Sequence, residues 1–321
     1  MSSMLINLLR FALYMYTLPS LFIQILIVRL LILQRKKHPF KNAFFRIFLL
    51  LSIVNCIQFV LMQLTVRLPS MGLALQFYLS LSELLCTMAS FISWHLILIT
   101  HIANALICVN RFTAVYSPTR YKNIWNDRVL FMVCALTLLI PITYSYRWLF
   151  HGTRFFRYED GATLKFVINN GSQQMEKLRH STIMFFCFAL FDLIVNVASI
   201  SLYRRTRKTT HFSHIERNLF IATLWMFSIT LLFAIFLMCY QLAFFGNLQS
   251  LQPFLQASSA FIVDGYMLSD TWILIFVSRD VRAELSQTLF GKSANDADQV
   301  SIRSKQATRT QRSPLLTKQI T

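Results

Sequence analysis

From Glu83 to Arg111 the chain reads ELLCTMASFISWHLILITHIANALICVNR, and the fold turns on this stretch. With its flanks it forms an apolar run over Leu84–Val115, longer than the roughly 20 residues that cross the hydrocarbon of a bilayer. Its less apolar members are ordered. Glu83, Cys86, Ser90, Trp94, Ile97, His101, Asn104, Cys108 and Arg111 follow one another at steps of three or four. In a helix these residues share one face. Against lipid, His101 and Asn104 would be left unsatisfied, so that face must meet protein. Such a helix belongs in the middle of a bundle of membrane spans.

Working outward, six more runs are long and apolar enough to span. In chain order the seven expected helices are Phe11–Leu33, Phe44–Thr65, Leu84–Val115, Val129–Phe150, Ser181–Tyr203, Asn218–Phe245 and Phe254–Val277. The composition agrees. The 321 residues are 55% hydrophobic and 14% charged, with 30 Phe, 7 Gly and 7 Pro, and the mean hydropathy is +0.53. A soluble chain of this size carries about 25% charged residues. The first run is too long for the apolar core of a signal peptide and is expected to stay as helix 1.

The formal net charge of +18 raises nucleic acid as a partner, but the placement of the charge excludes it. Lys and Arg gather in short segments between spans, as membrane topology requires. Arg35, Lys36 and Lys37 follow helix 1. Arg120, Lys122 and Arg128 follow helix 3, and Arg204, Arg205, Arg207 and Lys208 follow helix 5. The opposite loops carry little, only Arg67 after helix 2 and none after helix 6, except the one after helix 4. The sum places the N-terminus outside and the basic loops in the cytoplasm. The organisation is then a short outer N-terminus (1–10), a seven-helix domain (11–277), an interfacial helix (278–291) and a disordered, Ser- and Thr-rich cytoplasmic tail (292–321). In the interfacial helix, Val281, Leu285 and Leu289 recur every four residues before Gly291. The long outer loop between helices 4 and 5 contains Asn170-Gly171-Ser172, an N-glycosylation acceptor pattern.

Polar groups at membrane depth are the candidates for function. Besides His101 and Asn104 these are Asn55 and Gln58 on helix 2, Asp192 and Asn196 on helix 5, and Asp264, Tyr266 and Asp270 on helix 7. A polar network through the bundle centre would satisfy Asn55, His101, Asn104, Asp192, Asn196 and Asp270. Aromatic residues populate the outer halves. Phe91, Trp94, His95, Phe185, Tyr240 and Asp264 are the expected walls of a largely apolar pocket for a small organic ligand. With about ten residues before helix 1, that pocket is expected in the bundle mouth. The six Cys lie in or beside apolar runs without a CxxC pair, and His211 and His214 stand in a basic loop. No metal site, cofactor or enzyme motif is indicated. A ligand-gated channel or transporter remains the alternative, with Asp192, Asp264 and Asp270 lining the path. A transporter would more often show paired repeats with broken helices.

One motif narrows the field. Asn110-Arg111-Phe112-Thr113-Ala114-Val115, followed by Pro118, Tyr121 and Ile124-Trp125, resembles the end of helix 3 in nematode serpentine chemoreceptors, the class gamma group and relatives such as class V. The likeness of spans and loops covers about residues 10–290. It implies a G-protein-coupled receptor for a small ligand in the plasma membrane of sensory cells. A heterotrimeric G protein would dock at the cytoplasmic ends, at Arg111, Tyr203, Arg204 and Arg205, and the tail would offer itself to an arrestin or a kinase. Arg111 stands where rhodopsin-like receptors carry the Arg of Asp-Arg-Tyr, and Asn110 replaces the acid. Asp270-Thr271-Trp272-Ile273 stands where the relatives have Asn-Pro-Trp-Ile. Cys86 lies where many receptors bridge to the second outer loop. That loop has no Cys here, so the loop must be ordered by other means.

Overall fold

The structure, a computed structural model, describes residues 3–37, 40–157, 164–168, 171–206, 214–246 and 252–290. Over these residues the fold is an all-α membrane helix bundle with one small hairpin. Helix 1 is Ser3–Gln34 and helix 2 is Ala43–Met62. Helix 3 is Glu83–Tyr116 and helix 4 is Asp127–Leu139. Helix 5 is Gly171–Thr206, helix 6 is His214–Phe245 and helix 7 is Gln252–Val277. Helix 8 is Arg279–Phe290. Six helical segments are long and apolar enough over the described residues to cross a membrane, helices 2 and 4 being counted with the turns that follow them, as Ala43–Ser70 and Asp127–Phe150. Helix 7, 26 residues long, packs beside them against helices 1, 2 and 6.

Sequence chemistry sets several of the ends. Asn42 accepts a hydrogen bond from the Phe44 amide at the start of helix 2, and Asn126 accepts from the Val129 amide at the start of helix 4. Ser82 does the same for Leu85 at the start of helix 3. Each cap satisfies one of the amides that a helix start leaves open. Helix 4 was expected to run unbroken to Phe150. It stops at Leu139 and resumes as the short turns Ile142–Ser145 and Tyr146–Phe150. Pro141 between them has no amide hydrogen and cannot continue the ladder.

Helix 3 packs against helices 2, 4, 5 and 6 and reaches helix 7 through side-chain hydrogen bonds. Among the described residues, the most extensive buried apolar cluster lies toward the basic end. There Phe44, Phe45, Ile47, Phe48 and Leu51 of helix 2 meet Ile27 and Leu30 of helix 1, Ile107 of helix 3 and Leu274 of helix 7. Lipid is as apolar as these side chains, so close packing and hydrogen bonds hold the helices together. The outer surface fits the same solvent. Phe131, Phe276 and Leu232 are among many large apolar side chains left exposed, which water would not tolerate as a continuous belt. Helix 8 rests on helices 1 and 7. Its Val281 is buried, and Gln34 Nε2 donates to Glu284 at 2.9 Å. Gly291 and the tail lie outside the described residues.

The loop between helices 4 and 5 contains an antiparallel hairpin, β1 Thr153–Arg157 and β2 Leu164–Ile168, with Phe155 opposite Phe166. The hairpin lies where the sequence alone shows a long outer loop. Phe155 and Leu164 bury themselves against Tyr78 and Cys86. The Thr153 amide donates to Thr87 Oγ1 at 3.1 Å, and Arg154 Nε donates to Glu83 at 2.8 Å. Cys86 is a free thiol inside this contact. Packing, one backbone bond and one ion pair therefore order the loop where other receptors use a disulfide. Asn170 lies outside the described residues.

Candidate functional site

The polar face of helix 3 meets a different neighbour at each turn. Midway along helix 3, Thr100 Oγ1 donates to Asn55 Oδ1 at 3.0 Å. The Asn55 amide in turn donates to the Met267 carbonyl at 3.1 Å and lies 3.5 Å from Asp270 Oδ2. Helices 2, 3 and 7 close on one another there. At the next residue and the turn after it, the Tyr266 hydroxyl sits 3.1 Å from His101 Nδ1 and 3.4 Å from Asn104 Nδ2. The His101 ring meets the Phe185 ring edge-on at 4.1 Å, and Tyr266 stacks on Phe233 at 4.6 Å. One turn further on, Asn196 Nδ2 donates to Cys108 Sγ at 3.4 Å and to the Asp192 carbonyl at 2.8 Å. The six residues expected to form a network thus lie in three adjoining contacts, each tying helix 3 to a different partner. Thr100 joins them. Its place beside Asn55 had no distinctive signal in a sequence rich in helical Thr.

At the basic end, Arg111 is buried. Its guanidinium donates to Asn110 Oδ1 at 2.7 Å, lies 3.5 Å from the Tyr121 hydroxyl and sits over the Phe44 ring at 4.9 Å. Tyr121 donates to Asn42 Oδ1 at 2.6 Å, and Asn110 Nδ2 donates to Tyr121 at 3.0 Å. Trp125 Nε1 donates to Thr113 at 2.7 Å. The Asn-Arg motif and the Tyr and Trp downstream are therefore parts of one contact, closed onto helix 2. Tyr203 stacks on Phe220 of helix 6 at 5.3 Å, and Arg204 and Arg205 are exposed at the same end.

The six residues expected to wall a ligand pocket sort into separate neighbourhoods. Phe91 stacks on His95 at 5.9 Å, and His95 Nδ1 faces Ser145 at 3.3 Å, on the seam with the turn that follows helix 4. Trp94 tilts against Trp148 at 6.0 Å. Phe185 belongs to the His101 contact. Tyr240 lies beside Phe236 on helix 6. Asp264 is buried between helices 2 and 7 and forms an ion pair with Arg67.

That pair corrects the expectation that Arg67 stands in an outer loop. Helix 2 does not end at Thr65. It widens into a π-turn over Gln63–Arg67 and continues to Ser70. The added residue per turn rotates Arg67 inward, and helical side chains lean toward the helix N-terminus. The guanidinium thus descends to Asp264 and passes over the Phe59 ring at 5.6 Å. The available sequence signal was a lone Arg at the end of an apolar run and a lone Asp in another, each needing a partner. Asp264 and Asp270 thus both meet helix 2 from helix 7, whereas Asp192 lies with residues of helices 3 and 6. Among the described residues no group of three or more His, Cys, Asp or Glu could hold a metal ion.

No curated protein matches the chain. The family described as Srg family chemoreceptor matches residues 11–285, which take in the helices of the bundle and the contacts described above. The chain belongs to the Srg family of chemoreceptors and is a serpentine integral membrane receptor.

Proposed function

We propose that this chemoreceptor couples to a heterotrimeric G protein and responds to a small organic ligand bound within the bundle. In this reading it lies in the plasma membrane of a sensory cell, with the hairpin outside and the basic ends of helices 3, 5 and 6 in the cytoplasm. The observation that carries the proposal is the contact around Arg111. A buried guanidinium at the basic end has an amide oxygen, a phenol and a ring face among its partners, groups that a docking protein can replace one at a time. The contacts of helix 3 with helices 2, 5 and 7 supply an element that a ligand could shift between two arrangements. A ligand does so to the extent that it binds one arrangement better than the other. Phe91, Trp94, His95, Phe185, Tyr240 and Asp264 are the residues proposed to sense it. Arg111, Tyr203, Arg204 and Arg205 are proposed for the G protein, and the tail for a kinase or an arrestin.

The test is a ligand panel in cells, reading G-protein activation and membrane current together. Activation without current, abolished in Arg111→Ala at normal surface expression, is the expected result. Unchanged coupling in Arg111→Ala removes Arg111 from the proposal. Ligand-evoked current that needs no G protein moves the protein to the channel class.

A further inference from the structure

Between helices 3, 5 and 6 lies a cavity of about 10 Å³, lined by Asn104, Cys108, Asp192, Thr223, Met226 and Thr230 among others. Its polar rim is unusual in kind. Asn104 directs its amide hydrogens at Tyr266, and its Oδ1 is buried without a donor from the described residues. Asp192 Oδ1 is in the same condition. Thr223 and Thr230 spend their hydroxyl hydrogens on the Leu219 and Met226 carbonyls of their own helix, which leaves them able only to accept. The Cys108 sulfur already accepts from Asn196. The Cys108 thiol hydrogen is a weak donor to Asp192, so the rim offers several acceptors and no strong donor.

We propose that this cavity is a binding site for one water molecule, which donates one hydrogen to Asn104 Oδ1 and the other to Asp192 Oδ1. Size and chemistry agree. A site of roughly 10–15 Å³ admits a single water when two or more polar partners surround it. Water supplies two strong O–H donors for these acceptors, and a buried acceptor left bare keeps the full cost of its desolvation. An apolar guest would leave both acceptors unmet, and a larger polar one would not fit. The bridge joins helix 3 to helix 5 one turn below the His101–Tyr266 contact. A water-mediated contact holds nearly as well as a direct one and re-forms easily after a shift. Helix 5 can thus move relative to helix 3 here without stranding Asp192. The inference concerns a hydration site and stands whether or not the chain couples to a G protein.

Radiolytic hydroxyl-radical labelling of the purified full-length protein tests it, with mass spectrometry as readout. Radicals form from water itself, so a resident water marks its neighbours even where bulk solvent does not reach. Met226 and Cys108, each 4% exposed, are the reporters. Both are expected to be oxidised in the wild type. Labelling is expected to vanish in Asn104→Leu, which removes one acceptor, and in Thr223→Leu, which fills the space from helix 6. The two variants approach the site from different helices, so one misfolded variant leaves the other to decide. Absence of labelling in the wild type, or labelling that persists in a folded variant of either kind, overturns the proposal.

Discussion

Arg67 and Arg111 are both buried arginines in a membrane bundle, one near each end, and the protein satisfies them by opposite means. Arg67 meets the carboxylate of Asp264, itself fully buried. Arg111 meets an amide oxygen, a phenol and the face of Phe44. A buried ion pair resists opening, because separating it leaves two uncompensated charges. Each of these neutral partners holds a guanidinium more weakly than a carboxylate does, and they can be exchanged singly. In the function proposed here the difference divides the labour: the Arg67 pair ties helix 2 to helix 7, and the Arg111 contact is the one proposed to change partners.

The strongest way to break this comparison is to strand one charge. Asp264→Ala leaves Arg67 buried without its carboxylate and is expected to cost about 3–5 kcal/mol. Thermal unfolding of the purified protein should show the loss, and surface expression should fall with it. The double variant Arg67→Met with Asp264→Leu removes both charges and is expected to recover most of that stability. A double variant as unstable as the single one would mean that the pair is not the cause.

The converse change sharpens the Arg111 side. Asn110→Asp gives that guanidinium an adjacent carboxylate and makes the basic end resemble the other. Ligand-evoked G-protein activation is expected to fall while stability holds or rises. Tyr121→Phe works in the opposite direction. It deletes the hydroxyl shared by Asn42, Asn110 and Arg111, at a cost of about 1 kcal/mol, and basal activation is expected to rise. If Asn110→Asp raised activation instead, the view of this contact as a releasable neutral clasp would be wrong.

The same contrast shows what the sequence could carry. The helix 3 face was readable because a three-and-four spacing fixes direction with no knowledge of neighbours. The spans were readable because lipid demands long apolar helices. The grouping of Asn55, His101, Asn104, Asp192, Asn196 and Asp270 followed from the need of each to find a partner, but which partner was not legible. Pairing depends on helix rotation and depth, and the Thr100–Asn55 contact fixes both only after folding. Arg67 was misplaced because a π-turn shifts the helical phase by one residue, and nothing in Gln63–Arg67 announces the turn. The hairpin was missed for a related reason. Its strands are five residues each, and their stability comes from Tyr78 and Cys86 across the chain rather than from their own pattern. Which seam each of Phe91, Trp94, Phe185 and Tyr240 faces depends on the same rotation and depth, so their neighbours were not legible either.

A third arginine completes the comparison. Arg154 pairs with Glu83, as Arg67 pairs with Asp264, but its side chain is 59% exposed. Solvent then screens the charges, and such a pair contributes about 0.2–1 kcal/mol. The neutral bond beside it, from the Thr153 amide to Thr87, is buried. Thr87→Val leaves that amide without an acceptor and is expected to cost about 1–3 kcal/mol, with faster hydrogen exchange across Thr153–Arg157. Glu83→Gln is expected to produce the smallest effect of all, a slight and salt-sensitive rise in the same exchange. If Glu83→Gln loosened the hairpin more than Thr87→Val does, charge rather than burial would rank these contacts. The division of roles between Arg67 and Arg111 would then need a different explanation.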